Sequence, residues 1–85
     1  MKYVFVEESW EDYLYWQKTN IKTLKRINDL LKNISREPFT GIGKPELLKH
    51  KYKGFWSCRI DGEHRLVYRI KEDEIHIAKC RFHYD

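Results

Sequence analysis

The sequence predicts an α+β domain. Two N-terminal helices pack on one face of a twisted, mainly antiparallel sheet of four to five strands, in the order β-α-α-(β)-β-β-β. Three observations carry this. An apolar stripe at helical spacing runs through residues 21–35, behind a first helical pattern over about 9–18. Three strand-like segments follow, at 55–60, 65–70 and 74–82. The pair Asp61-Gly62 joins the first two of these, a strong hairpin signal. Runs of helices and runs of strands, without alternation, give helices gathered on one side of an antiparallel sheet.

Tyr3-Val4-Phe5-Val6 is a β-branched and aromatic run and reads as the first strand. Ser9 offers an N-cap, with Asp12 three residues on as a weak capping box. Trp10, Tyr13, Leu14 and Gln17 then recur at helical spacing, and Trp10, Tyr13 and Trp16 read as core. Thr19-Asn20 breaks this helix, and Asn20 caps the next. Ile21, Leu24, Ile27, Leu31 and Ile34 form its apolar stripe, opposite Lys22, Lys25, Arg26, Asp29 and Lys32. Pro38 stops it. Residues 39–54 hold Gly41, Gly43, Pro45 and Gly54 and read as a long connection, with a short strand near Leu47-Leu48-Lys49. Long ordered loops in small domains are often functional.

Eighty-five residues make one domain, 1–85. A chain of this size buries only about 60–65% of its unfolded surface, so a thin core relies on large rings. Aromatics are 15% of the residues, which argues against disorder despite 35% charge. Cys58 and Cys80 are too few for a disulfide framework and lack metal-binding spacing, so no metal or cofactor is expected. With no long apolar run and no signal-like N-terminus, the expectation is a cytoplasmic chain with reduced thiols and no membrane partner.

Charge is placed unevenly. The chain carries +4 overall, and residues 44–59 alone carry +4, from Lys44, Lys49, Lys51, Lys53 and Arg59 against the single acid Glu46. A basic surface attracts polyanions without reading sequence. Strand alternation puts Trp56, Cys58, Ile60, Leu66, Tyr68, Ile70, Ala78, Cys80 and Phe82 under the helices. The opposite parity puts Arg59, Arg65, Arg81 and His83 on the uncovered face, provided that no bulge intervenes.

Each of these residues has a plain reading beside a chemical one. Arg59 and Arg65 are either ordinary surface arginines or phosphate ligands. Glu46 either pairs with a neighbouring lysine or acts as a general base. His83 is either an inert end residue or, if Phe82 and Tyr84 anchor the tail, a fixed group titrating near neutrality. Lys49, Lys51 and Lys53 are either solvated or on a nucleic-acid path. His64, after a turn, reads as a backbone partner or a stacking group. Carboxylate, imidazole and guanidinium together could break a phosphodiester bond as base, acid and charge stabiliser.

Several longer segments share one resemblance. Glu8-Ser9-Trp10, Asp12-Tyr13-Leu14-Tyr15-Trp16, Gly43-Lys44-Pro45-Glu46, Leu48-Lys49-His50, Gly54-Phe55-Trp56-Ser57, Glu63-His64-Arg65-Leu66-Val67-Tyr68 and Cys80-Arg81-Phe82-His83-Tyr84 resemble the Txe/YoeB toxins of the RelE-like superfamily. The resemblance implies a metal-independent endoribonuclease that cuts mRNA in the ribosomal A site. It also implies inhibition by a cognate, YefM-like antitoxin with an acidic segment, and admits a homodimer. By position, Glu46 corresponds to the general base, His83 to the general acid, and Arg59 and Arg65 to the phosphate-holding arginines. Lys49 and Tyr84 correspond to supporting residues, and Lys44, Lys51, Lys53 and Arg81 extend the RNA-binding surface. Two departures stand out: Cys58 where the family usually has arginine, and Asp85 after the usual terminal tyrosine. A RelE-fold module that poisons another target, such as a topoisomerase, or that binds RNA without cutting it, is the alternative.

Overall fold

The computed structural model describes residues 1–83; Tyr84 and Asp85 lie outside the described residues. Strand β1 (Lys2–Phe5) leads into helices α1 (Glu7–Thr19) and α2 (Ile21–Arg36). After a long connection come β2 (Glu46–Leu47), a 3-10 turn at His50–Tyr52, β3 (Trp56–Arg59), β4 (Arg65–Lys71) and β5 (Glu74–Lys79). The five strands form one mixed sheet in the order β1-β5-β4-β3-β2. Neighbours pair antiparallel, except that β1 runs parallel to β5. The predicted α+β architecture is the one observed.

Helix α2 forms as its pattern dictates. Asn20 Oδ1 accepts from Thr23 N at 3.2 Å, capping the first turn. Leu24, Ile27, Leu30, Leu31 and Ile34 are buried and pack with Leu66, Tyr68, Ile75 and Ile77 of the sheet. The buried stripe therefore begins at Leu24. Ile21, the first helical residue, is 67% exposed, because the first turn projects past the sheet.

Helix α1 differs from its sequence reading. It starts at Glu7, and its buried face is Ser9, Asp12 and Trp16, while Trp10 is 46% exposed. This face docks by hydrogen bonds. Ser9 Oγ accepts from Val6 N at 3.0 Å and donates to Ile77 O at 2.6 Å. Asp12 Oδ2 accepts from Cys80 N at 3.0 Å, and Trp16 Nε1 donates to Cys80 O at 2.8 Å. Buried backbone polar groups need partners, and here three side chains of α1 provide them where strand β5 runs out.

Strand β5 ends at Lys79, one residue past a bulge. Tyr68 pairs with Ile77, but Val67 pairs with Lys79, so Ala78 is the extra residue. The alternation read from Ala78, Cys80 and Phe82 is therefore corrected on both sides. Before the bulge, the residues under the helices are Ile75 and Ile77, both fully buried. After it the strand stops at Lys79, and although Cys80 is buried, Phe82 is 50% exposed with a left-handed φ of 64°. On the face away from the helices, Ser57 and its register partner Val67 are also buried.

Candidate active site

Register builds the site. Glu46 pairs with Ser57 across β2 and β3, and Arg59 pairs with Arg65 across β3 and β4. Residues paired across a ladder project to the same face, and so do residues two apart along a strand. Glu46, Ser57, Arg59 and Arg65 consequently share the face away from the helices. With Lys44 and His83 from flanking loops they line one pocket of about 170 Å³.

The loop that carries Lys44 and Glu46 is fastened from below. Arg59 N donates to Gly43 O at 3.2 Å, and Ile42 N donates to Asn33 Oδ1 at 3.2 Å. A Cβ at Gly43 would lie 2.7 Å from Cys58 Cβ and 2.8 Å from Leu30 Cδ2, so only glycine allows this approach. Lys44 follows in the left-handed region at φ 50°, its N–H donating to Gly41 O at 3.1 Å. The chain then enters β2 with Glu46 as its first residue, one position ahead of the short strand expected at residues 47–49.

The opposite wall rests on the hairpin turn. Asp61 Oδ1 accepts from Glu63 N at 2.8 Å and His64 N at 2.7 Å. Slight burial would raise the Asp61 pKa, but these bonds and the charges of His64 and Arg65 outweigh it and hold the carboxyl below its ordinary range. Arg65 Nη1 donates to Asp61 O at 2.9 Å and His64 O at 3.0 Å, which fixes the guanidinium against the turn. The tail is tied to the same place. Phe82 N donates to His64 Nδ1 at 2.7 Å, Arg65 N to Phe82 O at 3.1 Å, and Lys79 Nζ to His83 O at 3.2 Å. His64 thus takes the backbone role its position suggested, and its ring packs edge-on to Trp16, centroids 4.8 Å apart.

Other predicted residues lie elsewhere. Arg81 is not on the face of Arg59 and Arg65. Its guanidinium sits 3.4 Å from the Tyr15 ring centroid and lines a groove along α1 with Glu11 and Asp12. The end of β5 at Lys79 breaks the alternation that predicted otherwise. Lys49 and Lys53 border a separate apolar pocket with Leu47, Leu48 and His50. Lys51 lies 5.6 Å from the Tyr52 ring centroid. Tyr84 lies outside the described residues. Ser57, not singled out from sequence, joins the pocket wall, and its parity with Arg59 was the available signal.

The cysteines belong to the core. Cys58 and Cys80 are buried and unbridged. Burial pushes the Cys58 thiol up to about 11, despite its contact with Tyr68 and the nearby charge of Arg26, and pushes Cys80 to about 12. Because Cys58 faces the helices, the pocket walls do not include its side chain.

This fold and this pocket place the chain among the small toxins of bacteria. Over 99% of its length it superposes on the whole of the YoeB/ParE toxin from Agrobacterium tumefaciens, with a TM-score of 0.96 and 48% identity. Residues 5–84 match the YoeB-like toxin of bacterial type II toxin-antitoxin systems, and the chain belongs to that family. Toxin YoeB of Escherichia coli strain K12 is 57% identical over 84 residues, 99% of this chain and 100% of that protein. A Staphylococcus aureus relative, solved as a YoeB-YefM complex, matches with a TM-score of 0.92 and 47% identity, over 99% of this chain and 98% of that one.

Proposed function

We infer that this toxin is a cytoplasmic endoribonuclease that inhibits translation by cutting mRNA in the ribosomal A site. The observation that carries the reading is the convergence of Glu46, Arg59, Arg65 and His83 on one pocket. Glu46 takes the proton from a ribose 2′-OH, and the oxygen attacks the adjacent phosphorus. Arg59 and Arg65 stabilise the charge gathering on the phosphoryl oxygens. The bond from phosphorus to the 5′-oxygen breaks as His83 supplies that oxygen with a proton. The products are a 2′,3′-cyclic phosphate and a 5′-hydroxyl, and the side chains provide base, acid and counter-charge without a metal. Tyr84 supports the site, and Lys44, Lys49, Lys51 and Lys53 attract the RNA. Arg81, set against α1, lies off this path.

The ribosome contributes by orienting the message, since positioning alone can be worth about 7–11 kcal/mol. A YefM-like antitoxin is the partner, in keeping with the Staphylococcus aureus YoeB-YefM complex, and an acidic segment of it covers the basic face, drawn by the charge of residues 44–59. The Staphylococcus aureus YoeB dimer likewise supports a homodimer. The test is single-turnover cleavage of ribosome-bound mRNA with mapped ends. Glu46→Ala and His83→Ala should each slow cleavage by about 10²–10⁴-fold while ribosome pelleting and melting stay near wild type. Wild-type rates in both variants would defeat the acid–base mechanism.

A further inference from the structure

A second cavity adjoins the first at Glu46. It encloses about 370 Å³ and is lined by Arg26, Ile42, Gly43, Lys44, Glu46 and Arg59. Lys44, Glu46 and Arg59 also line the reaction pocket, so the two chambers adjoin and share these three residues. The second chamber lacks His83 and Arg65 and gains Arg26, which reaches it from α2. Arg26 Nη2 donates to Arg59 O at 3.1 Å, so the guanidinium is held at the rim by the backbone of β3. A guanidinium has five donors, and this bond engages one nitrogen. Ile42, 53% exposed, adds an apolar surface beside three cations. The volume falls in the range of about 300–1,000 Å³ typical of small-molecule sites.

We propose that this second chamber binds the nucleotide on the 5′ side of the cut, with Arg26 and Lys44 holding that nucleotide's own 5′-phosphate. The inference rests on the acid and base roles given above. The base must sit beside the nucleotide that yields its 2′-OH, and the acid beside the nucleotide that leaves. With Glu46 shared by the two chambers and His83 lining only the first, the strand runs 5′ to 3′ from Arg26 toward His83. Arg26 is a binding and positioning residue, away from the reacting atoms. Its planar fork suits a phosphate better than a point charge does.

The test uses a dinucleotide whose first sugar is 2′-deoxy, so that it cannot be cut, carrying a phosphate at its 5′ end, at its 3′ end, or at neither. In the wild-type chain the 5′-phosphate should tighten binding about tenfold. Arg26→Gln should lose most of that gain, keeping the share that Lys44 supplies and any gain from the 3′-phosphate, and Arg26→Lys should retain more of it. The slope of log affinity against log salt for the 5′-phosphorylated ligand should fall by about 0.7 in Arg26→Gln, one single-strand phosphate contact. If Arg26→Gln does not fold, NMR of the wild type decides: the Arg26 side-chain N–H and Ile42 methyl signals should move with the 5′-phosphate and not with the 3′-phosphate. A 5′-phosphate gain undiminished in Arg26→Gln, or its absence in the wild type, overturns the proposal. Failure of the underlying reading shows separately, as wild-type chain that leaves ribosome-bound mRNA uncut.

Discussion

Three residues explain most of the local geometry: Gly43, Asp61 and His64. Gly43 lets the loop touch β3, which delivers Lys44 and Glu46 to the pocket. Gly43→Ala must displace both Leu30 and Cys58 or lift the loop, and overpacking of this kind typically costs about 1–3 kcal/mol. A lowered melting temperature together with reduced cleavage is the expected result; an unchanged melt would show that the loop moves freely. Asp61 and His64 instead fix the other wall, and His64→Ala should loosen residues 82–83 and slow cleavage with little change in RNA affinity. The two thiols give a separate prediction. With pKa values pushed to about 11 and about 12, neither forms much thiolate at pH 8, and both are buried. Native protein should react with a thiol reagent slowly and reach two equivalents only on unfolding; rapid native labelling would contradict the burial.

Helix α2 and helix α1 differ in how much of each was legible in the sequence. An apolar stripe is written in the sequence with a period, so α2 could be read from Leu24 to Ile34, with Ile21 wrongly included at its start and the buried Leu30 left out. The docking face of α1 carries Ser9, Asp12 and Trp16; the aromatic pattern marks Trp16 but not the two polar residues, and it points to Trp10 as well. What selects the polar face is the set of backbone groups stranded where β5 ends, and a single sequence does not reveal them. The bulge at Ala78 hid Ile75 and Ile77 for the same reason, and the end of β5 at Lys79 misplaced Arg81. Arg59 and Arg65 were legible because β3 and β4 pair without irregularity there, whereas Glu46, read in the loop before a strand at 47–49, was joined to them by the family resemblance.

Asp12 gives this element its pH signature. Burial raises its pKa above 3.8, with the Coulomb effect of Glu8 in the same direction, while the Cys80 N–H and the charges of Lys79 and Arg81 offset part of the rise. A raised folded pKa means that the folded state holds the proton more tightly than the unfolded chain. The contribution of Asp12 to stability therefore increases as pH falls from neutral through the folded pKa, and levels off below 3.8. Asp12→Asn keeps an acceptor for Cys80 N without the buried charge, so it should flatten this part of the stability profile. Asp12→Ala leaves that N–H unpaired and should cost about 1–3 kcal/mol at neutral pH. Denaturant melts from pH 4 to pH 7 separate the two, and parallel profiles for Asp12→Asn and wild type would refute the assignment.

For the whole molecule, charge and topology matter most. Residues 44–59 carry as much net positive charge as the entire chain. Association with an acidic antitoxin segment should therefore be steered electrostatically, its rate falling by about tenfold or more between low and high salt while dissociation changes little. Stopped-flow mixing measures this, and a salt-independent association rate would place the contact off the basic face.

Strand β5 lies between β1 and β4, and its parallel pairing sets Lys2 beside Glu74. The sheet thus closes only when distant parts of the chain meet, and loop-closure entropy must be overcome before that contact repays it. Folding is then slower than in a helical bundle of equal length, and the unclosed chain remains open to proteases for longer. The supply of active toxin depends on that race as well as on how much chain is made.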